Sequence, residues 1–203
     1  MTKPTVLIYA KPPRMGLAKT RLARGLGPTE ARRIAHFTLS RTMRAALRGP
    51  WHVRLYAAPD TALTGTLGGL WPPSLERRSQ GQGGLTERLE RGLREAAPGP
   101  VLFIGADAPD LSTGLLRAAV VALRRHDAVF GPARDGGFWL FGLNKGAQTR
   151  SPFRGVRWSG PHAMNDVRNR LPRQARVATL RELIDVDEAD DWRDWCADRS
   201  FAI

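Results

Sequence analysis

The stretch TVLIYA at residues 5–10 decides the fold, because it is an uninterrupted run without a charged side chain. Runs of this kind are typical of strands that are buried on both faces of a parallel sheet. Residues 101–104, with the sequence VLFI, form a second such run, and residues 53–58 are predicted to form a further strand. The core of the chain is therefore predicted to be a parallel sheet.

Amphipathic helices are predicted between these strands, one starting at Pro28 and one over residues 85–97. Strands that alternate with helices predict the α/β class. We expect a single domain over residues 1–203, built as a three-layer α/β/α sandwich with a mostly parallel central sheet. The other predicted elements are a helix capped by Ser112 or Thr113, strands at residues 128–130, 138–141 and 176–180, and a short helix after Asp187.

Two connections are predicted to be irregular. Residues 11–27 are interpreted as a loop, and residues 64–84, which are rich in Gly, Pro and Gln, as a long surface connection. In an enzyme such a connection can serve as a lid. Because ligands of parallel sheets bind at the carboxyl ends of strands, the loops that follow strands are the places to look for chemistry.

Composition limits the classes of function. The chain has 203 residues, 42% of them hydrophobic, and Cys196 is its one cysteine. No apolar stretch approaches the roughly 20 residues that cross a bilayer, and the N-terminus lacks the pattern of a signal peptide, so we expect a cytoplasmic protein without a membrane span. The net charge of +13 comes mainly from Arg spread along the chain, without a basic run. This pattern favours an anionic small substrate over nucleic acid.

The loop after the first strand has the composition of a phosphate-binding site. It places Lys11, Arg14, Lys19 and Arg21 around Gly16, which allows close backbone approach to an anion. It is not a Walker A loop, because Ala rather than Gly precedes the Lys-Thr pair. The alternative is a solvated basic loop, and the grouping of cations after a buried strand favours phosphate binding.

Two further loops carry carboxylates. Asp107 follows the buried run at 101–104, where an isolated charge is costly and a metal ion would compensate it. Asp135 stands before Gly136 and Gly137 between two apolar strands, and Asp-Gly is also a strong hairpin signal. For each Asp, the alternative is a structural role in a turn.

The segment Asp185-Val186-Asp187 is a weaker candidate. Two carboxylates at this spacing can ligate a metal, or they can cap the last helix, and the sequence does not decide between these roles. Trp139 and Trp158 are candidates for stacking on a base or sugar, although most of the tryptophans are expected to be core residues.

These motifs together resemble bacterial members of the nucleotide-diphospho-sugar transferase superfamily, which has the glycosyltransferase-A type fold. The resemblance rests on the strings KPPRMGLAKTRL, IGADAPDL, GPARDGGFWLFGL and DVDEADD, which span nearly the whole chain in order. The most similar group consists of proteins named as glycosyltransferases or as transferases associated with radical-SAM proteins. Three positions depart from its pattern: Gly84 replaces an Asp, and Glu188 and Gly160 each replace a Thr.

The resemblance implies a nucleotide bound through Mg²⁺ or Mn²⁺ at the end of the central strand. Asp107 and Asp187 match metal positions, Lys19 and Arg21 match phosphate contacts, and Asp135 matches the Asp-Gly-Gly motif. The implied reaction is sugar transfer from a nucleotide diphosphate sugar to a small acceptor, with Asp135 as a second metal ligand or general base. The alternatives are nucleotidyl transfer from a nucleoside triphosphate to a phosphorylated small molecule, and an inactive nucleotide- or nucleic-acid-binding module. Residues of the expected substrate side are Gly136, Gly137, Trp139 and Trp158.

Overall fold

A computed structural model describes residues 2–200, with side chains to residue 198. The described strands are β1 (Thr5–Ala10), β2 (His52–Ala57), β3 (Glu76–Ser79), β4 (Gly99–Ile104), β5 (Ala128–Pro132), β6 (Phe138–Lys145) and β7 (Val177–Thr179). The described helices are α1 (Thr20–Leu26), α2 (Pro28–Leu47), α3 (Leu85–Glu95), α4 (Thr113–Ala122), α5 (Ala163–Asn169) and α6 (Ala189–Ser200).

The strands form one sheet in the order β3-β2-β1-β4-β6-β5-β7. Pairs β3-β2, β2-β1, β1-β4 and β5-β7 are parallel, whereas β6 runs antiparallel to both β4 and β5. The predicted α/β class with a mostly parallel sheet is confirmed, and the Asp135 loop is the hairpin between β5 and β6. The carboxyl ends of β1 and β4 lie side by side in the middle of the sheet, which brings together the two loops that follow them.

Helices cover both faces of the sheet, as the three-layer prediction requires. Successive residues of β1 point to opposite faces: Val6 and Ile8 join the core beneath α2 and α4, and Leu7 joins the core beneath α3 and α5. Since both faces are covered, the central strand β1 carries no charged side chain, and Val6, Leu7 and Ile8 are fully buried.

A third, smaller core joins α1, α2 and α6. Leu22 of α1 is fully buried against Ile34 of α2 and Trp195 of α6. The prediction of a continuous loop over residues 11–27 is therefore wrong for its second half. Helix α1 is only seven residues long, too short for helical periodicity to be visible, and its burial depends on partners far away in the sequence.

The prediction of a loose surface connection at residues 64–84 is also wrong. This segment contains β3, and Trp71 within it is fully buried. The Arg77 guanidinium donates to four backbone carbonyls in and next to the segment, those of Leu63, Gly65, Trp71 and Pro72. A segment tied down in this way cannot serve as a freely opening lid.

Helix α5 was not predicted from the sequence. In the part of the chain that the structure describes, none of the helices combines the length and the apolar composition needed to cross a membrane.

Candidate functional site

A cavity of about 460 Å³ lies at the carboxyl ends of β1 and β4. Its walls come from the loop after β1, the loop after β4, the first two turns of α3, one face of α2, and the segment before α6. The cavity falls within the range of volumes typical of ligand pockets, and it lies at the edge of the sheet where ligands of α/β folds bind. Cationic side chains line it at two places, which we call the lysine end and the arginine end.

The lysine end consists of Lys19, Arg21, Asp107 and Asp187. The Lys19 ammonium lies 2.5 Å from Oδ1 of Asp107 and 2.9 Å from Oδ1 of Asp187, and it also donates to the backbone carbonyl of Val186. The Lys19 side chain is only 6% exposed, whereas those of Asp107 and Asp187 are 42% and 36% exposed. Since an ammonium has three N–H donors, all the donors of Lys19 have protein acceptors.

The electrostatics of this end reinforce the pairing. Burial alone would lower the pKa of Lys19, but the carboxylates of Asp107 and Asp187 outweigh it, and the pKa is raised. Burial would raise the pKa of Asp187, but the neighbouring Lys19 and Arg21 outweigh it, and the pKa is lowered. Lys19 and Asp187 are therefore both charged around neutral pH.

Long-range contacts bring the two acids together. The Asp107 carbonyl accepts from the Val186 N–H at 3.0 Å, so the loop after β4 and the segment before α6 are joined through the backbone. Arg21, on the first turn of α1, donates to Oδ2 of Asp187 at 2.6 Å. Both oxygens of Asp187 thus have cationic partners. Its carboxylate does not cap α6, where Asp191 instead accepts from the N–H groups of residues 187 and 188.

Asp185 is a further acid near this end that the sequence indicated only as part of a pair with Asp187. Its pKa is raised well above the ordinary value, first because of burial and then because of the charge of Asp107, with smaller effects from Asp187 and Asp135. No ion pair within 4 Å is formed by Asp185 in the described part of the chain. The acids thus converge beside one buried ammonium.

The arginine end consists of Gln80 and Arg88. Gln80 follows β3 and is 6% exposed, and its Nε2 donates to the carbonyls of Ala10 and Tyr56. Its Oε1 accepts from Nη1 of Arg88 at 2.9 Å, while Nε of Arg88 donates to the Gly83 carbonyl at 3.2 Å. Arg88 is half-buried, lines the cavity, and forms no ion pair with any of the side chains described.

Aromatic side chains line the part of the cavity next to the arginine end. Tyr9, Phe103, Phe138 and Trp158 are among the lining residues. The Tyr9 hydroxyl donates to the Arg88 carbonyl, and the Trp158 indole donates to the Thr86 hydroxyl at 2.8 Å. These bonds fix two of the rings against the start of α3. The structure thus places Trp158 at the cavity wall, where the sequence predicted a substrate residue.

The predicted phosphate-binding residues divide into two groups. Lys11, Lys19 and Arg21 line the cavity, whereas Arg14 and Gly16 do not. Gly16 has φ of +75°, and although Leu17 and Ala18 line the cavity, their N–H groups bond to the Arg14 carbonyl and are not free to bind a phosphate. This part of the loop is therefore not the phosphate cradle that its composition suggested.

The Asp-Gly-Gly motif lies beside the cavity and does not form its wall. Oδ1 of Asp135 accepts from the Gly137 N–H at 2.9 Å, so Asp135 stabilises its own hairpin turn. Gly136 has φ of +85°, and a side chain there would meet the Pro161 backbone at 2.5 Å. Gly136 is thus required by the turn and its close neighbour. The negative charge of Asp135 nevertheless makes a small contribution to the raised pKa of Asp185.

The interpretation of Trp139 as a ligand-stacking residue is wrong. Trp139 is 2% exposed, packs against Gly131, and donates from its indole to the Arg181 carbonyl. It alternates with Phe138 along β6, and the residue that reaches the cavity is Phe138. The period-two alternation of strands puts the two rings on opposite faces of the sheet.

The acids at the lysine end are the donors available for the predicted metal ion. Within residues 2–198, no three or more carboxylate, imidazole or thiolate groups are arranged to hold a metal ion. Asp107 and Asp187 are close enough for one ammonium to contact both, and Mg²⁺ is commonly held by one or two carboxylates with substrate phosphates and waters. These residues fit a divalent ion that arrives with a nucleotide rather than one held by the protein alone.

Gln80 and Arg88 were not predicted from the sequence as residues of the site. Gln80 stands among glycines, where it resembles any polar loop residue. Arg88 gave a clearer signal, because it lies between Leu85 and Leu89 on the apolar stripe of α3, where a cation is unusual. A charged residue on a stripe that points inward is the pattern that could have revealed it.

The family of the chain follows from comparison with known proteins. The chain belongs to the family described as "Uncharacterized protein conserved in bacteria (DUF2064)", whose model matches residues 40–160. This span contains the arginine end, Asp107 and the Asp135 hairpin. No curated protein matches the chain.

A solved structure shares the fold over nearly the whole chain. A candidate nucleotide-diphospho-sugar transferase from Desulfovibrio desulfuricans G20 is 26% identical, with a TM-score of 0.86 over 96% of this chain and 87% of its own. The resemblance to nucleotide-diphospho-sugar transferases inferred from the four motifs is thereby confirmed, together with the fold class.

Two more distant structures share the fold alone. Glucosyl-3-phosphoglycerate synthase from Mycobacterium tuberculosis, in complex with Mn²⁺, UDP and glucosyl-3-phosphoglycerate, is 12% identical, with a TM-score of 0.57 over 95% of this chain and 75% of its own. CMP:2-keto-3-deoxy-manno-octonic acid synthetase, complexed with CTP, is 10% identical, with a TM-score of 0.58 over 100% of both chains. The fold therefore accommodates UDP in one protein and CTP in the other.

Proposed function

We propose that this protein is a transferase that takes a group from a nucleotide-activated donor, and that the donor is a nucleotide diphosphate sugar whose sugar passes to a small acceptor. The observation that supports this proposal best is the lysine end, where Asp107 and Asp187 approach one cation at the carboxyl end of the central strands. The likeness to a candidate nucleotide-diphospho-sugar transferase at 26% identity supports the same class of donor.

In this proposal Asp107 and Asp187 hold Mg²⁺ or Mn²⁺ that arrives with the nucleotide. Bound there, the ion would neutralise the charge that develops on the departing diphosphate. The Mn²⁺ complex of a protein with this fold supports a divalent ion. Asp107 is the better placed ligand, because only one of its oxygens has a cationic partner, whereas both oxygens of Asp187 have one.

The cations of the lysine end differ in their proposed tasks. Lys19 holds the two carboxylates at a fixed separation, and it can reach a phosphate only by exchanging one of its three acceptors. Lys11 is exposed at the cavity wall and Arg21 is 52% exposed, so both can turn toward a diphosphate. Their charges would then stabilise the leaving group.

Asp135 remains the candidate for the acceptor's general base. Its charge contributes to the raised pKa of Asp185, and Oδ1 is held by the Gly137 N–H, so a fixed oxygen is available at the hairpin. A general base needs such a fixed position relative to the proton it removes.

Nucleotidyl transfer is the second candidate. In the loop after β4, Asp107 stands at the metal position without an Asp-x-Asp pair, since residue 105 is Gly. A protein with this fold is known in complex with CTP, and this also favours a triphosphate donor. In this reaction a phosphorylated acceptor attacks the α-phosphorus and pyrophosphate leaves.

The released product separates the two reactions. The protein is incubated with Mg²⁺ or Mn²⁺ and a panel of nucleotide diphosphate sugars and nucleoside triphosphates, together with a pool of small hydroxyl and phosphate acceptors. Release of a nucleoside diphosphate from a nucleotide sugar supports the proposal. Release of pyrophosphate moves the assignment to nucleotidyl transfer. Binding of nucleotides without any release, unchanged in Asp107→Asn, would support an inactive binding module instead.

A further inference from the structure

The cavity contains positive charge of two kinds, according to whether a carboxylate already neutralises it. At the lysine end, Lys19 and Arg21 both form ion pairs with Asp187. Arg88 has no such partner within the described residues, although it is half-buried at the cavity wall. A partly desolvated guanidinium without a counter-ion is costly unless a ligand supplies the negative charge.

The protein fixes the direction of this guanidinium. The Gln80 amide nitrogen donates to the carbonyls of Ala10 and Tyr56, and the amide oxygen accepts from Nη1 of Arg88. The Gly83 carbonyl receives Nε. Of the five N–H donors of a guanidinium, three remain, including both on Nη2. A pair of donors in this planar geometry matches a carboxylate or a phosphate.

The surroundings of Arg88 suit a small organic molecule. Leu85 and Leu89, which lie close to Arg88 on α3, also line the cavity, as does Tyr9, whose hydroxyl donates to the Arg88 carbonyl. Thr86, on the same turn of α3, holds the Trp158 indole at 2.8 Å. An anion bound by Arg88 would therefore have its carbon skeleton against apolar walls, and Arg88 shares no hydrogen bond or ion pair with the described carboxylates of the lysine end.

We propose that Arg88, oriented by Gln80, binds an anionic group, a phosphate or a carboxylate, on the acceptor. This assignment rests on the proposed function, because it names the class of molecule that the transferase would act on. The acceptor is then a small anionic molecule, and its charge is recognised separately from the diphosphate of the donor. In this proposal Arg88, which has no ion-pair partner among the described residues, determines the specificity for the acceptor.

The test uses small anions without nucleotide or metal, so that it does not depend on the donor reaction. Binding of phosphoglycolate, inorganic phosphate and glycolate is measured by calorimetry at low salt, with EDTA present. The variants are Arg88→Gln, Arg88→Lys and Arg94→Gln. Arg94→Gln is the matched control, because it removes the same charge from an exposed position on α3 outside the cavity.

We expect Arg88→Gln to weaken phosphoglycolate binding at least about ten-fold, Arg88→Lys to recover only part of it, and Arg94→Gln to change it less than two-fold. Inorganic phosphate and glycolate then show which of the two groups Arg88 prefers. Equal loss in Arg88→Gln and Arg94→Gln would overturn the proposal, since general charge attraction would explain both.

A second set of measurements tests whether Arg88 instead contacts the base of the nucleotide donor. Binding of the uncharged nucleosides guanosine, cytidine, uridine and adenosine is measured with the same variants. If Arg88→Gln weakens nucleoside binding and leaves phosphoglycolate unaffected, Arg88 contacts the donor's base, and the assignment to the acceptor is wrong. If the assignment of Arg88 to the acceptor fails in this way, the proposed transfer reaction is not affected, because the product assay measures that reaction independently.

Discussion

The lysine end and the arginine end of the cavity both present basic side chains to a ligand, but the first is already neutralised by the protein and the second is not. Lys19 contacts Asp107 and Asp187 and is almost inaccessible to solvent. Arg88 is held only by neutral acceptors, the Gln80 amide and the Gly83 carbonyl. The difference shows that a count of basic residues around a cavity does not locate the anion.

Charge pairing gives the two ends different tasks. A buried ammonium with two carboxylates fixes the geometry of those carboxylates and prepares them for a second cation. An oriented guanidinium without a carboxylate attracts an anion directly. The following variants test this division, in order of decreasing expected effect.

Asp107→Asn is expected to have the largest effect. It keeps the size of the side chain and removes the charge of Asp107, the proposed metal ligand with only one oxygen in an ion pair. Turnover should fall about 10²–10³-fold, the loss typical when charge stabilisation is removed from a transition state. Initial rates at saturating donor and Mg²⁺ measure this. A decrease of less than about three-fold would place the chemistry elsewhere in the cavity.

Lys19→Met is expected to lower stability rather than donor affinity alone. It leaves Asp107 and Asp187 facing each other without their shared ammonium. Breaking a buried ion pair costs about 3–5 kcal/mol, but both acids are more than a third exposed, so we expect about 2 kcal/mol, or a fall in Tm of about 4–8 °C. Thermal unfolding with and without Mg²⁺ provides the measurement, and Mg²⁺ should restore more stability in the variant than in the wild type.

The stability that Lys19 provides should also depend on pH. The lowered pKa of Asp187 means that its contribution is present above the ordinary pKa of an Asp and is lost as the pH falls through the lower folded-state pKa. The raised pKa of Lys19 means that its contribution is lost only as the pH rises through that raised pKa. The difference in unfolding free energy between wild type and Lys19→Met should therefore be constant near neutrality and shrink below about pH 4. A constant difference down to pH 2 would contradict the pairing.

Gln80→Met is expected to have a moderate effect at the arginine end. It removes two hydrogen bonds to buried carbonyls and the acceptor that orients Arg88, at a cost of about 1–3 kcal/mol in stability. Phosphoglycolate binding should weaken by less than in Arg88→Gln, because the charge remains and only its direction is lost. Calorimetry on both variants gives the ratio. Equal or greater weakening in Gln80→Met would show that Gln80 itself contacts the anion.

Arg21→Gln is expected to have the smallest effect on stability. Its ion pair with Asp187 is short, at 2.6 Å, but the Arg21 side chain is 52% exposed. Exposed pairs of this kind contribute about 0–1 kcal/mol. Chemical denaturation of this variant beside Lys19→Met compares an exposed and a buried cation on the same carboxylate. A loss as large as that of Lys19→Met would mean that exposure does not decide the strength of these pairs.

Sequence patterns predicted the frame of the molecule and the positions of its loops. Runs such as residues 5–10 reveal buried strands because apolarity on both faces is a local property. The carboxyl ends of such strands then predict where Asp107 and Lys19 emerge. Helix α1 and strand β3 escaped prediction because they are short and their stability comes from distant partners.

Sequence patterns could not predict which side chains pair with each other at the two ends of the cavity. Lys19 and Asp187 are separated by 168 positions, so a basic loop and an acidic segment gave no sign that one neutralises the other. The sequence therefore predicted a phosphate-binding Lys19, and the structure shows that its donors are already used. Trp139 illustrates the same limit, since strand alternation, and not residue type, determines which ring reaches the cavity.

Binding of Mn²⁺, followed by electron paramagnetic resonance with and without nucleotide, tests the central claim most directly. The account predicts weak binding of Mn²⁺ alone, because two carboxylates shared with Lys19 do not form a complete site. It predicts binding at least about ten-fold tighter with the correct nucleotide, whose phosphates complete the coordination, and loss of that gain in Asp107→Asn. Tight Mn²⁺ binding without nucleotide, or a gain that survives in Asp107→Asn, would contradict the account.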